Sequence, residues 1–240
     1  MKKRAALFIL VALFLASPAH AALAIDGSAT TTTNTGGVLT ITLTTTSTND
    51  TIYVCNTATS GNTSSISDTA ALSWTQRKIL TAVTGMTADC WYAWSTGVLT
   101  SDVISVSNTN GIRTLGFGVS GGASGSVAGA QFDTSASFAK TAGVNSGTSV
   151  SATVSTNTPN VILISYMRTS GSVSADPPGW TTINSPSTST HSVYKILSTS
   201  QTNVVATYTM NTAAENMIVD AICSSAGCYA ANSSIMGAGQ

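Results

Sequence analysis

The fold is decided by an alternation of apolar and hydroxyl side chains in residues 38–54, which read VLTITLTTTSTNDTIYV. A period of two places successive side chains on opposite faces of a strand. Leu39, Ile41 and Leu43 are therefore expected on one buried face, with threonines on the wet face, where a branched Cβ still suits a pleated surface. Residues 150–164, VSATVSTNTPNVILI, follow the same plan.

Strand-like runs continue along the chain, at 103–106, 161–164 and 204–208. Turn formers separate the runs, as in the DPPG at 176–179. After the first 21 residues, no window of a dozen residues keeps a helical apolar stripe. The sequence therefore predicts an all-β protein.

The two parts of the chain resemble each other, about 38–121 and 148–225. Trp74 and Trp180, each before a threonine, occupy parallel places. No charged or proline-rich linker divides the two parts, and each supplies about four recognisable strands. We therefore expect one eight-stranded, jelly-roll-type antiparallel β-sandwich built from two similar halves. Two tandem immunoglobulin-like sandwiches are the alternative.

The first 21 residues have the form of a secretory signal peptide. A basic start, KKR at 2–4, precedes an apolar run at 5–16, and AHA at 19–21 matches a signal peptidase site. Twelve apolar residues span about 18 Å as a helix, too short for a hydrocarbon core of about 30 Å. We expect cleavage after residue 21, no later membrane span, and a secreted protein, extracellular or periplasmic. Residues 22–228 then form the sandwich and 229–240 a flexible C-terminal tail.

Charge is scarce throughout the chain. Charged residues are 8% of the total, against about 25% in average proteins. Hydrophobic residues are 42%, which excludes charge-driven disorder. The mature chain has six Lys and Arg against nine carboxylates, a net charge of −3. Nucleic-acid binding is excluded because phosphate contacts need clustered basic residues.

The four cysteines predict two disulfides, because export leads through an oxidising compartment. Three pairings are possible, and the most local one, Cys55–Cys90 with Cys223–Cys228, is favoured. Loop closure stabilises by about 3.8 kcal/mol for the first and about 2 kcal/mol for the second. A metal site is not expected, since no Cys-x-x-Cys occurs and the mature chain has one histidine. That residue, His191, is interpreted as a solvated edge residue.

One segment, GVSGG at 118–122, matches the Gly-x-Ser-x-Gly elbow of serine hydrolases. The elbow needs a helix after Ser120, and the glycine-rich sequence that follows cannot sustain one. Asp133 or Asp176, with His191, could complete the triad order. With 20 glycines and 35 serines, chance matches are expected. A secreted serine hydrolase is the remote alternative, and we expect no enzyme.

The carboxylates are few and are placed mostly at turns. Glu215 is the single glutamate, so the paired acids of glycoside hydrolysis are not expected. Asp50, Asp68, Asp102 and Asp176 are interpreted as turn or cap residues that bind their own backbone. No Asp-x-Asp-x-Asp spacing, phosphate loop or dinucleotide fingerprint is present. We expect no metal and no cofactor.

Aromatic residues offer the best candidate ligand site. Trp91, Tyr92 and Trp94 lie in one strand, where period two places Trp91 opposite to the other two. The simpler interpretation is a strand buried on both faces. The functional one is a platform on which a sugar ring stacks. Trp74 and Trp180 are predicted as core anchors whose indole N–H groups bind carbonyls.

Four segments carry a resemblance to known proteins: 67–75, 91–94, 116–121 and Phe132-Asp133. They read SDTAALSWT, WYAW, GFGVSG and FD. Here the chain resembles a β-sandwich module that recurs in exported bacterial proteins and bacteriophage structural proteins. The similarity covers most of residues 38–222. It implies a sandwich fold and a structural or adhesive context, and it brings no catalytic residues.

These observations favour a secreted, non-enzymatic β-sandwich protein with a structural or adhesive role at the cell surface or in an extracellular assembly. A neutral Thr/Ser-rich surface suits packing, and low net charge removes a barrier to self-association. A carbohydrate-binding, lectin-like domain that uses Trp91, Tyr92 and Trp94 is one alternative. A phage virion structural protein is another, which the signal peptide disfavours. The expected partners are further copies of the chain or a glycan.

Overall fold

The computed structural model describes residues 22–32, 37–59, 65–83, 85–108, 110–125 and 129–225. Across these ranges the regular structure is antiparallel strand, and no helix there could cross a membrane. The predicted signal peptide and C-terminal tail lie outside the described residues. The N-terminal half contains β1 (Ala24–Thr32), β2 (Gly37–Leu43), β3 (Asp50–Ala58), β4 (Ser65–Asp68), β5 (Thr75–Val83), β6 (Met86–Ser95), β7 (Asp102–Asn108) and β8 (Gly111–Ser120). The C-terminal half contains β9 (Lys140–Val154), β10 (Val161–Thr169), β11 (Val173–Ala175), β12 (Thr181–Ser187), β13 (Thr190–Leu197) and β14 (Val204–Cys223).

The N-terminal half is a sandwich of two sheets. The larger sheet has the order β1-β8-β3-β6-β5, and the smaller has the order β2-β7-β4. Ile41 and Leu43 on β2 pack with Ile52 and Val54 on β3, and Leu39 is buried on the same face of β2. The alternation that opened the sequence analysis thus forms the core of this sandwich, and the intervening threonines of β2 are exposed.

The C-terminal half forms its sandwich from a single bent sheet, ordered β11-β14-β10-β13-β12 with β9 also on β14. The β9–β14 register is interrupted between Thr209 and Glu215. This interruption divides β14 into a first part before it and a second part after it. The first part covers the face of β10, where Tyr208 donates a hydrogen bond to the Ser165 carbonyl. Apolar side chains from both parts of β14 and from β10, including Leu163, form one buried cluster.

Both halves have the same strand order. In the C-terminal half, the long strands β9 and β14 each take the positions of two N-terminal strands. The order β9-β14-β10-β13-β12 then corresponds to the larger N-terminal sheet, β1-β8-β3-β6-β5. The order β9-β14-β11 corresponds to the smaller one, β2-β7-β4. The turns also correspond, since Asn49 and Asn160 both have a left-handed backbone before β3 and β10. The order 1-8-3-6 facing 2-7-4 is that of a jelly roll.

The prediction of an all-β antiparallel sandwich of two similar halves is confirmed. The count of strands needs correction, because each half, rather than the two together, supplies a roll of eight strand positions. The strands that the sequence did not reveal lack an apolar alternation. They are short, as in Ser65–Asp68, or rich in glycine, serine and threonine, as in the first part of β9 and in β12.

The larger sheets of the two halves face each other across a third buried cluster, which includes Tyr53, Phe117, Ile164 and Ile218. β1 contacts β12 and β5 contacts β9, so equivalent strands meet on both sides of the interface. This is the pattern of an isologous contact between two copies of one unit. The described part of the protein is therefore four β-layers deep, with the β2-β7-β4 layer and its C-terminal counterpart outermost.

A disulfide joins Cys55 on β3 to Cys90 on β6, which are direct cross-strand partners with Cα atoms 4.1 Å apart. This predicted bridge is confirmed, and both cysteines are fully buried in the interface cluster. A disulfide of this kind is typical of a non-cytoplasmic, oxidising environment. Cys223 is buried at the end of β14, whereas Cys228 lies outside the described residues, and so does the predicted bridge between them.

Candidate functional site

The three aromatic residues of β6 line two different cavities. Trp91 pairs with Val54, whose side chain lies in the core of the N-terminal sandwich. Tyr92 pairs with Tyr53 and lies in the interface between the halves. Trp94 shares the side of Tyr92, so the predicted alternation across the strand is present.

The first cavity, which we name the tryptophan groove, is lined by Trp74, Trp91, Asp68 and Ile66, with Leu72 beside them, and has a volume of about 460 Å³. It lies between the edge strand β4 and the larger sheet. Both indole rings are half-buried. The groove therefore combines two aromatic rings with a carboxylate at the open edge of the sandwich.

Carboxylates hold both indole N–H groups in this groove. Trp74 Nε1 donates to Asp68 Oδ2 at 2.5 Å, and Trp91 Nε1 donates to Asp89 Oδ2 at 2.9 Å. Asp68 also accepts the backbone N–H of Leu72, which fixes the turn that carries Trp74. Because each ring is anchored at its polar edge, its orientation is set before any ligand arrives.

The second cavity, which we name the connector pocket, has a volume of about 570 Å³ and contains Tyr92 and Trp94. Gly125 and Gln131, from the segment that joins the halves, form one wall. A Cβ at Gly125 would lie 2.5 Å from the Trp94 ring, so only glycine allows this close approach. Tyr92 is buried against Phe132, with ring centroids 4.8 Å apart. The pocket is therefore partly closed by the chain itself.

Trp74 lines the tryptophan groove, a role that the sequence did not predict. We predicted Trp74 and Trp180 as core anchors bound to carbonyls, but both are half-buried. The Trp74 partner is a carboxylate, and Trp180 Nε1 is buried without a hydrogen-bond partner. The signal for the groove was the short spacing from Asp68 to Trp74, which a tight turn folds into contact.

The hydrolase residues are not assembled around Ser120. This serine ends β8 opposite Ala24, and its hydroxyl donates to the Ala24 carbonyl at 3.5 Å. No helix follows it in the described residues 121–125 and 129–139. Asp133 is occupied by the turn before β10, accepting from Thr158 Oγ1 at 2.7 Å. The carboxylate of Asp176 and a more distant serine, Ser185, both approach His191 at Nδ1, at 2.7 and 3.5 Å, so they do not form a relay through the two ring nitrogens.

The interpretation of His191 as a solvated edge residue is therefore corrected, because it is half-buried and paired with Asp176. The interpretation of Asp176 as a backbone-binding turn residue is corrected as well, since its other oxygen accepts from Thr182 Oγ1. Asp68 does bind its own turn, through the backbone N–H of Leu72. Asp102 instead accepts the backbone N–H groups of Thr69 and Ala70, in a turn that is distant in sequence, so its interpretation is corrected as well. No group of three potential metal-ligating residues occurs in the described ranges.

Two aspartates perform the same structural task in the two halves. Asp26 accepts hydrogen bonds from the backbone N–H of Thr46 and Ser47, and Asp133 accepts them from Asn157 and Thr158. We name these contacts the aspartate clamps. Burial opposes ionisation of Asp26, but these hydrogen bonds outweigh it and lower the pKa of its carboxyl.

Asp50 is a buried acid beside the first clamp. It is fully buried at the start of β3, and its polar neighbours are the side chains of Asp26 and Thr45 rather than turn backbone, contrary to its interpretation as a turn residue. Burial, followed by repulsion from the Asp26 carboxylate, raises the pKa of Asp50 to about 7. A proton held by Asp50 allows it to donate to Asp26, which two ionised carboxylates cannot do.

No protein-family model, curated protein or solved structure matches this chain. The function proposed below is therefore inferred from the geometry of the chain alone.

Proposed function

We propose that the protein is an exported, non-catalytic β-sandwich protein with a structural or adhesive role. The observation that carries this proposal is the chemistry of its two outermost sheet faces. On the N-terminal side, the exposed residues of β2 and β7 are valine, threonine and serine, including Val38, Thr40 and Thr42. On the C-terminal side they are again serine, threonine and valine, including Ser151 and Val205.

Neither outer face carries a charged side chain on these strands. Val38 is 61% exposed and Val205 is 50% exposed, so each face also offers apolar surface. Hydroxyl and methyl groups have a smaller free-energy cost of desolvation than charged groups, and this favours association over a broad sheet face. The buried disulfide supports export, because such bridges persist in oxidising compartments.

Self-association tests this role. Native mass spectrometry and size exclusion of the mature protein at rising concentration should show assemblies larger than a monomer. Val38→Lys together with Val205→Lys should return the protein to monomer by placing a charge on each outer face. Ile196→Lys is the matched control, an apolar residue 48% exposed on β13 and outside both faces. A protein that stays monomeric at every concentration contradicts a self-assembling role.

Carbohydrate binding is the second candidate, and the tryptophan groove favours it. Sugar rings stack on aromatic side chains through their C–H faces, while their hydroxyls bind carboxylates such as Asp68. The position equivalent to Trp91 in the C-terminal half is Val193, since Trp91 lies opposite Val54 and Val193 opposite Ser165. The C-terminal half therefore lacks the second ring.

A glycan array of the mature protein tests the second candidate. We expect Trp91→Val, which installs the residue of the other half, to abolish any glycan signal. Trp180→Ala is the control, because this tryptophan does not line either cavity. An array without signal for the wild-type protein rejects the lectin role, and a signal that survives Trp91→Val places binding elsewhere.

A further inference from the structure

Two arginines approach each other at one end of the interface between the halves. Arg113 on β8 lies opposite Thr57 on β3, on the face that contains Leu115. Arg168 lies on the opposing sheet, two residues after Tyr166 on β10, on the face that contains Tyr166. Thr57, Arg113, Tyr166 and Arg168 thus form what we name the interface arginine cluster.

Three guanidinium nitrogens of this cluster are buried without a hydrogen-bond acceptor in the described part of the chain: Arg113 Nε, Arg168 Nε and Arg168 Nη1. The Tyr166 and Thr57 hydroxyls lie beside them and interact with each other. Burial, followed by repulsion from Arg113, lowers the pKa of Arg168 to about 10. A buried donor that loses water without gaining an acceptor destabilises the fold, and a bound acceptor removes that penalty.

Among the described residues, no side-chain carboxylate forms an ion pair with Arg113 or Arg168. All nine acidic residues of the sequence lie inside the described ranges. The ion pairs found there are Arg77–Asp220 and His191–Asp176. Neither includes a member of the cluster.

The nearest acids face away from the cluster. Asp89 and its neighbour Asn56 lie on the other side of the sheet, where Asp89 accepts from Trp91. Glu215 pairs with Thr169 on β10, so it lies on the inner face of the C-terminal sandwich. Two guanidinium groups therefore lie at one place beside the hydroxyls of Thr57 and Tyr166, and neither guanidinium is in an ion pair with a described residue.

We propose that the interface arginine cluster binds a tetrahedral oxyanion of the phosphate or sulfate class. Arginine forks match such oxygens in paired, charge-assisted hydrogen bonds. Donors arrive from both opposed sheets, so a ligand with acceptor oxygens directed to several sides fits better than a planar carboxylate. The anion would bridge the two halves, free or as the terminal group of a larger molecule.

The test is thermal unfolding and calorimetric titration of the mature protein at constant ionic strength. Sodium phosphate, sodium sulfate and glucose 6-phosphate are the probes, and sodium acetate and sodium chloride are the reference anions. We expect saturable binding and a raised Tm with phosphate or sulfate, and not with acetate or chloride. Binding of glucose 6-phosphate but not of the free ions would assign the site to a terminal phosphate group.

Variants assign the binding to the cluster. Arg113→Met and Arg168→Met should each weaken anion binding at least tenfold, whereas Lys140→Met removes a charge from an exposed position and should leave it unchanged. Thr57→Val keeps all charges and should weaken binding several-fold, which covers the case that an arginine variant fails to fold. Absence of oxyanion binding in the wild type, or equal binding in the variants of the cluster and in Lys140→Met, would overturn the proposal.

Discussion

The two halves hold the same turn with the same carboxylate but place different residues beside it. Asp26 and Asp133 make corresponding clamps, and a left-handed asparagine ends each turn. The next residue is Asp50 in the N-terminal half and Val161 in the C-terminal half, and both are fully buried. The comparison teaches that the jelly-roll backbone tolerates an acid or an aliphatic residue at one core position.

The same contrast recurs across the interface. Tyr53 pairs with Phe117 in the N-terminal half, and the equivalent pair in the other half is Ile164 with Asp220. Asp220 receives two hydrogen bonds from Arg77 and one from Tyr53. The position of Arg77 corresponds to Ile183, so one side of the interface has a buried ion pair where the other side is apolar.

The disulfide gives the largest expected difference between the halves. Cys55 and Cys90 correspond to Tyr166 and Ser192, which are also direct partners but are not joined. Replacing both cysteines by alanine should destabilise the protein by about 4 kcal/mol, because the bridge closes a loop with a sequence separation of 35. Urea unfolding measures the change. A loss below about 1 kcal/mol would show that the unfolded chain is not restrained by this bridge.

The ion pair across the interface should give the next largest effect. Arg77→Ile leaves Asp220 buried without its cation and should cost about 3 kcal/mol. The double variant Arg77→Ile with Asp220→Phe installs the apolar pair of the other side and should recover most of that loss. Urea unfolding of the single and double variants forms the measurement. A double variant as unstable as the single one would mean that the two sides are not interchangeable.

Asp50 should make the stability depend on pH. The folded protein keeps Asp50 protonated up to about pH 7, whereas the unfolded chain ionises it near 3.8. The free energy of unfolding that depends on protonated Asp50 is therefore fully present below about pH 4 and is lost as the pH rises to 7. Asp50→Val should remove this loss and stabilise the protein at pH 8 by on the order of 2 kcal/mol.

Thermal unfolding between pH 4 and 8 tests this expectation, with Asp50→Asn as a variant of similar size. A wild-type protein whose stability does not fall between pH 4 and 7 would contradict the raised pKa of Asp50 and its hydrogen bond to Asp26. The Asp26 clamp acts in the opposite direction, since its lowered pKa adds stability that is lost only as the pH falls below about 4.

The two repeated tryptophans should give the smallest difference. Trp74→Phe removes a hydrogen bond to Asp68 and should cost about 1 kcal/mol, whereas Trp180 Nε1 has no partner to lose. Trp180→Phe is therefore the matched control and should be nearly neutral in urea unfolding. Equal losses in both variants would indicate that ring packing, rather than the indole hydrogen bond, decides the stability of each site.

The strands with a regular alternation could be predicted because the pattern itself reports burial. β2 follows this rule, with Leu39, Ile41 and Leu43 buried and the threonines exposed. The first part of β9 does not, because a strand at the sheet edge has little core to cover and its residues carry no apolar period. The number of strands in each half was therefore underestimated.

Parts of the aromatic cavities could be predicted, and the rest could not. Trp91, Tyr92 and Trp94 were visible because they lie in one strand. The contact of Trp74 with Asp68 depends on a tight turn, and the cover of Gly125 on Trp94 depends on the path of the segment between the halves. The sequence pattern reports which face a residue occupies, but not which distant segment lies on that face.

By itself, the sequence determined the all-β class, the internal similarity and the Cys55–Cys90 bridge, because these depend on local period and short spacing. Only the tertiary structure decided that each half is a complete roll and that the larger sheets meet across one core. The meeting of Arg113 with Arg168 and the burial of Asp50 beside Asp26 belong to the same group. These contacts join residues far apart in the chain, and their energies arise from desolvation, which exists only after the sheets have packed.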